Sequence, residues 1–282
     1  MKKLLVLTMV VLASVSLEAQ INTPAPSPFS KVEQKVGLTD VTLEYSRPAM
    51  RGRTIFGDLV PYDKLWRTGA NLYTKITFGD DVTIDGQEVK AGTYSIFTKP
   101  GKANWEIFLY TEIEGGGVPK EWDESKIAAK TTSEVFPLPM KIETFTMSFD
   151  DLEPGSAILG MMWENVYVPL KIEVPTDKMV SESIETTMGG SPKAEDYYTA
   201  AVYYLESDKD IKKAQEWMDK AMEMNEEPAF WQLRQQSLIQ AKAGDKKAAI
   251  KTAKKSLAKA KEEGNDDYVK MNTDSLKEWG AK

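Results

Sequence analysis

Arginine is scarce in this chain and unevenly placed. Five Arg stand against 31 Lys, and four of the five (Arg47, Arg51, Arg53 and Arg67) fall within 21 residues. A guanidinium is a rigid planar donor fork that pairs bidentately with carboxylate or phosphate, which a lysine ammonium cannot imitate. The cluster therefore reads as an anion site, for a carboxylated sugar, a phosphate or an acidic peptide. It reads equally as a clasp, in which these arginines pair with Asp58, Asp63 or Glu44 and pin a long loop onto a sheet. In an acidic segment the clasp is the simpler reading. Tyr45, Phe56, Tyr62, Trp66 and Tyr73 accompany the arginines. Exposed beside polar donors, such rings suit a sugar or a partner protein; buried, they are the core beneath the loop, again the simpler reading. Arg47, Arg51, Arg53, Tyr62, Trp66, Arg67 and Asn71 form the candidate cluster, ligand-binding or structural.

The rest of the composition removes chemistries. The chain has no Cys and no His, so Ser–His–Asp and Cys–His catalysis and ordinary zinc sites are excluded. Disulfides and acylation at a lipoprotein cysteine are excluded as well. No D-x-D-x-D-G calcium loop is present, and neither metal nor cofactor is expected. Glycoside hydrolysis on two carboxylates alone survives this filter, with Asp80-Asp81 and Asp150-Asp151 as the paired acids. Both pairs fall at expected strand ends, where adjacent acids ordinarily face water, so no catalytic residue is assigned.

These residues must be held by elements that the pattern outlines. Lys2 and Lys3, an apolar run from Leu4 to Val15 and the exit Leu17-Glu18-Ala19 predict a secretory signal over residues 1–19, since the run is too short to span a bilayer. No later segment is long and apolar enough to cross a membrane. Pro24, Pro26 and Pro28 predict an extended lead-in over residues 20–35. A β domain is expected over 36–175. Val41, Leu43 and Tyr45 alternate, residues 72–78 follow, and Asp85-Gly86 joins two short runs as a hairpin. Further strands are expected at Thr93–Thr98, Trp105–Tyr110, Ile142–Phe149, Ala157–Trp163 and Val166–Val174, with turns at Glu153-Pro154-Gly155 and Glu164-Asn165. Many short strands without intervening helices predict an antiparallel sandwich or open barrel. The stretch Ile55–Thr68 breaks this pattern and reads as a long ordered loop with one helical turn.

From Asp177 the period becomes helical, and residues 176–282 predict an all-α helical-hairpin domain. Val180, Ile184 and Met188 mark a helix stopped by Gly189-Gly190, with Ser191-Pro192 starting the next. Tyr198, Ala201, Val202 and Leu205, then Ala214, Met218, Ala221 and Met222, place small residues where paired helices meet. The spacing resembles a tetratricopeptide repeat. A weaker copy runs from Leu233 to Leu257, and Asp266–Trp279 reads as a capping helix. Residues 246–261 carry seven Lys and no acid, which reads as a solvated outer face. The whole chain carries −7; removing the signal takes away two Lys and one Glu and leaves −8. Residues 190–282 balance at 17 basic and 17 acidic groups, so the excess negative charge lies in residues 20–189. An acidic chain is a poor partner for nucleic acid, whose binding needs phosphates neutralised by Lys and Arg.

One set of motifs goes further than composition. Tyr45-Ser46-Arg47-Pro48, Arg51-Gly52-Arg53, Ile55-Phe56-Gly57, Leu59-Val60-Pro61-Tyr62 and Trp66-Arg67-Thr68-Gly69-Ala70-Asn71 stand in succession. Ala91-Gly92-Thr93-Tyr94, Pro100-Gly101 and Trp105 follow. Together they resemble the secreted bacterial family called domain of unknown function 2911, from about Ser27 to Val174. The resemblance implies a fold and a compartment, not a reaction. Asp63 stands where the family's Pro-Tyr-Gly form has glycine.

The expected function is that of an exported envelope protein, periplasmic or extracellular and not a lipoprotein. It is read as a non-enzymatic binding or scaffold module, with a carboxylate-only, glycosidase-like hydrolase acting on an anionic glycan as the alternative. The partners expected are a protein or peptide on the helical repeats and an anionic glycan on the β domain.

Overall fold

In a computed structural model that describes residues 23–281, the chain forms two compact units, the first ending at Thr176 and the second beginning at Asp177. The signal read over residues 1–19 lies outside the described residues.

The first unit holds ten strands in two antiparallel sheets. They are β1 (Phe29–Val36), β2 (Thr39–Ser46), β3 (Lys75–Phe78), β4 (Val82–Ile84), β5 (Gln87–Val89), β6 (Gly92–Pro100), β7 (Asn104–Tyr110), β8 (Ile127–Glu134), β9 (Phe136–Glu153) and β10 (Ser156–Glu173). One sheet has the order β1-β2-β3-β6-β7-β8 and the other β5-β4-β10-β9. The sheets stay open rather than closing into a barrel. Alternation makes the core: Val41, Leu43 and Tyr45 of β2, Ile76 and Phe78 of β3, and Leu159, Met161 and Trp163 of β10 all face one hydrophobic cluster.

Four local expectations are corrected. β1 occupies part of the expected lead-in, pairing with β2 through the two-residue loop Gly37-Leu38; its alternation is masked because an edge strand carries Lys, Glu and Gln on both faces. β8, rich in Thr and Lys, is likewise an edge strand that the hydrophobic pattern does not announce. The expected turn at Glu164-Asn165 is a bulge inside the 18-residue β10, with Glu164 at φ 54°. A left-handed polar residue serves a bulge as readily as a turn. The excursion Ile55–Thr68 contains no helical turn; short bridges (Phe56 with Val60, Trp66 with Thr98) organise it instead.

The six-stranded sheet also buries apolar groups on its outer face. There Tyr73, Phe97, Phe108 and Tyr110 pack with Leu65, Trp122 and Ile127. Trp122 stacks on Tyr110 at 4.4 Å and meets Phe97 and Phe108 edge-on at 5.5 Å each.

The second unit has six helices: α1 (Thr176–Met188), α2 (Ala194–Glu206), α3 (Ile211–Glu223), α4 (Phe230–Lys242), α5 (Lys246–Glu262) and α6 (Asp266–Glu278). α2 pairs with α3, α4 with α5, and α5 with α6. The buried Ala201, Ala214, Ala221, Ala249 and Ala253 lie at the helix contacts. α2 starts later than Ser191-Pro192 suggests: Lys193 is its cap, its backbone N–H donating to Asp196 Oδ2 at 2.8 Å. No helix among the described residues is long and apolar enough to cross a membrane.

Candidate functional site

The candidate cluster lies in the excursion between β2 and β3. Pro48–Met50 runs beside β9, with Met50 N donating to Glu143 O and Phe145 N donating to Pro48 O, both at 2.8 Å. Arg47 fastens this contact. Its Nε donates to Phe145 O at 3.2 Å and its Nη2 to Thr146 Oγ1 at 2.8 Å. The chain then turns through Arg51 and Gly52, both at positive φ. Arg53 closes the turn on itself, donating to Met50 O at 2.9 Å and Ala49 O at 2.7 Å.

Three cluster residues hold the Pro-rich segment. Arg51 Nη2 donates to Pro26 O at 2.8 Å, Asn71 Nδ2 to Ser27 O at 3.1 Å, and Arg47 N to Pro28 O at 2.9 Å. Pro26 and Pro28 have no N–H to donate, so their carbonyls are the groups by which this segment can be held. Among the described residues, the acids Asp58, Asp63 and Glu44 form no ion pair with these arginines. The clasp is made on carbonyls and one hydroxyl, each taken by a single N–H of a guanidinium. Lysine lacks the planar fork whose Nε and Nη2 meet Phe145 O and Thr146 Oγ1 separately. Arg47→Lys is expected to lower stability by about 1–2 kcal/mol, read as a shift in urea midpoint, while Lys251→Gln on the exposed face of α5 stays within about 0.5 kcal/mol.

The rings go inward. Trp66 sits in the core, stacked on Trp163 at 5.9 Å and packed against Phe56, Trp105 and Phe145, with its Nε1 donating to Gly69 O at 3.2 Å. Tyr62 is half-buried against the same core, and Lys102 Nζ lies 5.8 Å from its ring centre. Trp66 is thus part of the core beneath the loop, and Tyr62 lies at its margin. Glu164 Oε2, at the β10 bulge, accepts from Ile55 N and Phe56 N at 3.2 and 3.4 Å. Asp63 sits at φ 58°, the left-handed conformation that glycine adopts without strain.

Arg67 differs from the other three. Its Nε is buried with no hydrogen-bond partner, and no ion pair reaches its guanidinium among the described residues. Burial pushes the guanidinium below its ordinary value, though not far enough to discharge an arginine. The next residue, Thr68, is fully buried at φ 55°, a conformation that β-branched residues avoid. It is held by its hydroxyl to Trp66 O and Thr98 Oγ1 and by Thr74 Oγ1 donating to its carbonyl at 2.6 Å. Strained backbone of this kind persists where surroundings over-determine it, and it concentrates at functional sites. Asn71, also at positive φ, borders a cleft of about 290 Å³ with Phe29, Leu72, Tyr73 and Lys75.

Three of the four paired acids are engaged locally. Asp80 accepts from Thr39 Oγ1, Asp81 from Ala91 N and Lys90, and Asp150 from Ser148 Oγ. No group of three or more His, Cys, Asp or Glu that could hold a metal occurs among the described residues.

The site belongs to an open two-sheet antiparallel β fold whose long β2–β3 excursion is clasped by arginine. A family model described as protein of unknown function (DUF2911) matches residues 27–172, more than half the chain, and the protein belongs to that family. Comparison with curated proteins and with solved structures found no match.

Proposed function

We propose that the protein is an exported, non-enzymatic binding module of the bacterial envelope, and that its β domain holds an anionic group at Arg67. One observation carries this reading: a half-buried guanidinium whose Nε is desolvated and unpartnered, next to a strained threonine, inside an acidic domain. Leaving a buried donor unmade costs about 1–3 kcal/mol, and a carboxylate or phosphate on the rest of the guanidinium would compensate the charge that burial desolvates. The N-terminal pattern of Lys2, Lys3 and a short apolar run supports export. The local engagement of Asp80, Asp81 and Asp150 gives a hydrolase no support.

The test is thermal unfolding of the chain from residue 20, with inorganic phosphate or acetate against chloride at equal ionic strength. The wild type is expected to gain stability with the anion as mass action requires. Arg67→Met should lose that gain and be at least as stable without ligand, because an uncompensated charge has gone. A destabilised Arg67→Met in a protein indifferent to anions would make Arg67 another clasp.

A further inference from the structure

Sheet register sets Arg67 among partners that the sequence does not show. The isolated antiparallel bridge of Trp66 with Thr98, carried one residue to either side, turns Arg67 toward Phe97 and Leu65 toward Lys99. Phe97 then pairs with Phe108 and Phe108 with Lys130, while Lys99 pairs with Glu106. Alternation puts all of these on the outer face, where Leu65 packs on the aromatic cluster. Lys99 Nζ lies 5.4 Å and Lys130 Nζ 5.3 Å from the centre of the Phe108 ring. Both ammoniums share one acid, with Glu106 at 3.5 Å from Lys99 and 2.5 Å from Lys130. Lys99 and Lys130 thus share one carboxylate on the face toward which alternation turns Arg67.

In their midst stands Trp122. Phe97, Phe108 and Tyr110 of the same cluster are at most 2% exposed, but Trp122 is only partly covered. Its indole meets Phe97 and Phe108, the residues that flank Arg67, Lys99 and Lys130 in register.

We propose that this face is a saccharide site for an acidic glycan. The C–H face of a pyranose rests on the Trp122 indole, while its carboxylate or sulfate takes the free guanidinium of Arg67 and the ammoniums of Lys99 and Lys130. The proposal rests on the reading of Arg67 as an anion site and adds the class of ligand. An indole supplies a flat apolar surface with a polar tip, suited to a ring that is apolar on one side and hydroxylated at its rim. The bidentate fork supplies the match to a carboxylate. A nucleic acid is disfavoured by the acidic balance of the domain. An acidic peptide has a chargeable side chain but no rigid ring to lie on the indole.

Calorimetric titration of the chain from residue 20 with oligogalacturonate, maltotetraose, oligoglutamate and a single-stranded DNA oligomer decides the matter. Oligogalacturonate is expected to bind at least about tenfold more tightly than each of the other three. Arg67→Met, Lys99→Gln/Lys130→Gln and Trp122→Phe should each weaken binding at least about tenfold, or 1.4 kcal/mol, with unchanged far-ultraviolet circular dichroism. Trp122→Phe keeps an aromatic ring on Tyr110, so loss of binding there reads the platform rather than the fold. Binding of maltotetraose as tightly as oligogalacturonate would overturn the acidic-glycan assignment. Binding of oligoglutamate or DNA as tightly, with Trp122→Phe silent, would overturn the saccharide class while leaving Arg67 an anion site. Indifference to every anion, including phosphate, would overturn both.

Discussion

Replacing Trp66 by alanine is expected to lower the stability of the β domain by about 3–5 kcal/mol, the range for emptying an aromatic site in a packed core. Four rings (Phe56, Trp105, Phe145 and Trp163) lie with centroids 5.2–6.3 Å from the Trp66 indole, and 8% of Trp66 is exposed. Alanine would leave a void bounded by rigid rings that cannot collapse into it, and it would strip Gly69 O of the indole donor. Urea unfolding followed by amide hydrogen exchange reads the β and helical units separately and gives the number. A loss below about 1 kcal/mol would be too small for a core tryptophan and would return Trp66 to the ligand-binding residues.

Gly37→Ala should cost about 3 kcal/mol, since a positive-φ alanine is strained by about 1–3 kcal/mol and a steric clash adds to it. Gly37 opens the two-residue loop between β1 and β2 at φ 54°, the first-position glycine that a tight hairpin of this twist requires. A Cβ built there would lie 2.2 Å from Pro154 O and 1.9 Å from Thr176 Oγ1. The threonine can rotate, but the carbonyl belongs to the β9–β10 turn and can yield only by moving backbone. The same measurement checks it, and exchange should accelerate first in β1 and β2. An unchanged midpoint would show that the turn relocates freely.

How far the sequence discloses this molecule depends on whether a residue's neighbours are near in the chain. β2 is legible because Val41, Leu43 and Tyr45 face one core, and the Asp85-Gly86 hairpin is legible because its turn is local. β1 and β8 are obscure because an edge strand satisfies half its backbone with solvent and has little apolar signature. The arginine cluster is visible as a cluster, yet its acceptors are not. Phe145 O, Thr146 Oγ1 and Pro26 O lie 98, 99 and 25 residues from the arginines they accept from. Main-chain carbonyls also leave no mark in a list of residue types. The proposed grouping of Arg67 with Lys99, Trp122 and Lys130, which lie 32, 55 and 63 residues further on, is hidden in the same way. The alternation of Phe97 with Lys99 was the available signal that one strand carries an aromatic and a cation on its outer side.

The kink at Glu164 has a consequence for how this chain can vary. Before it, Ala157, Leu159, Met161 and Trp163 are buried; after it, Val168, Leu170 and Ile172 are buried. The inward positions change from odd to even, so the strand alters its phase once without leaving the sheet. Loss of a single residue between Glu164 and Val166 would restore one uninterrupted beat and turn either the tryptophan half or the isoleucine half outward. In this chain the local length there is thus constrained in its own right, by parity rather than by the identity of any side chain.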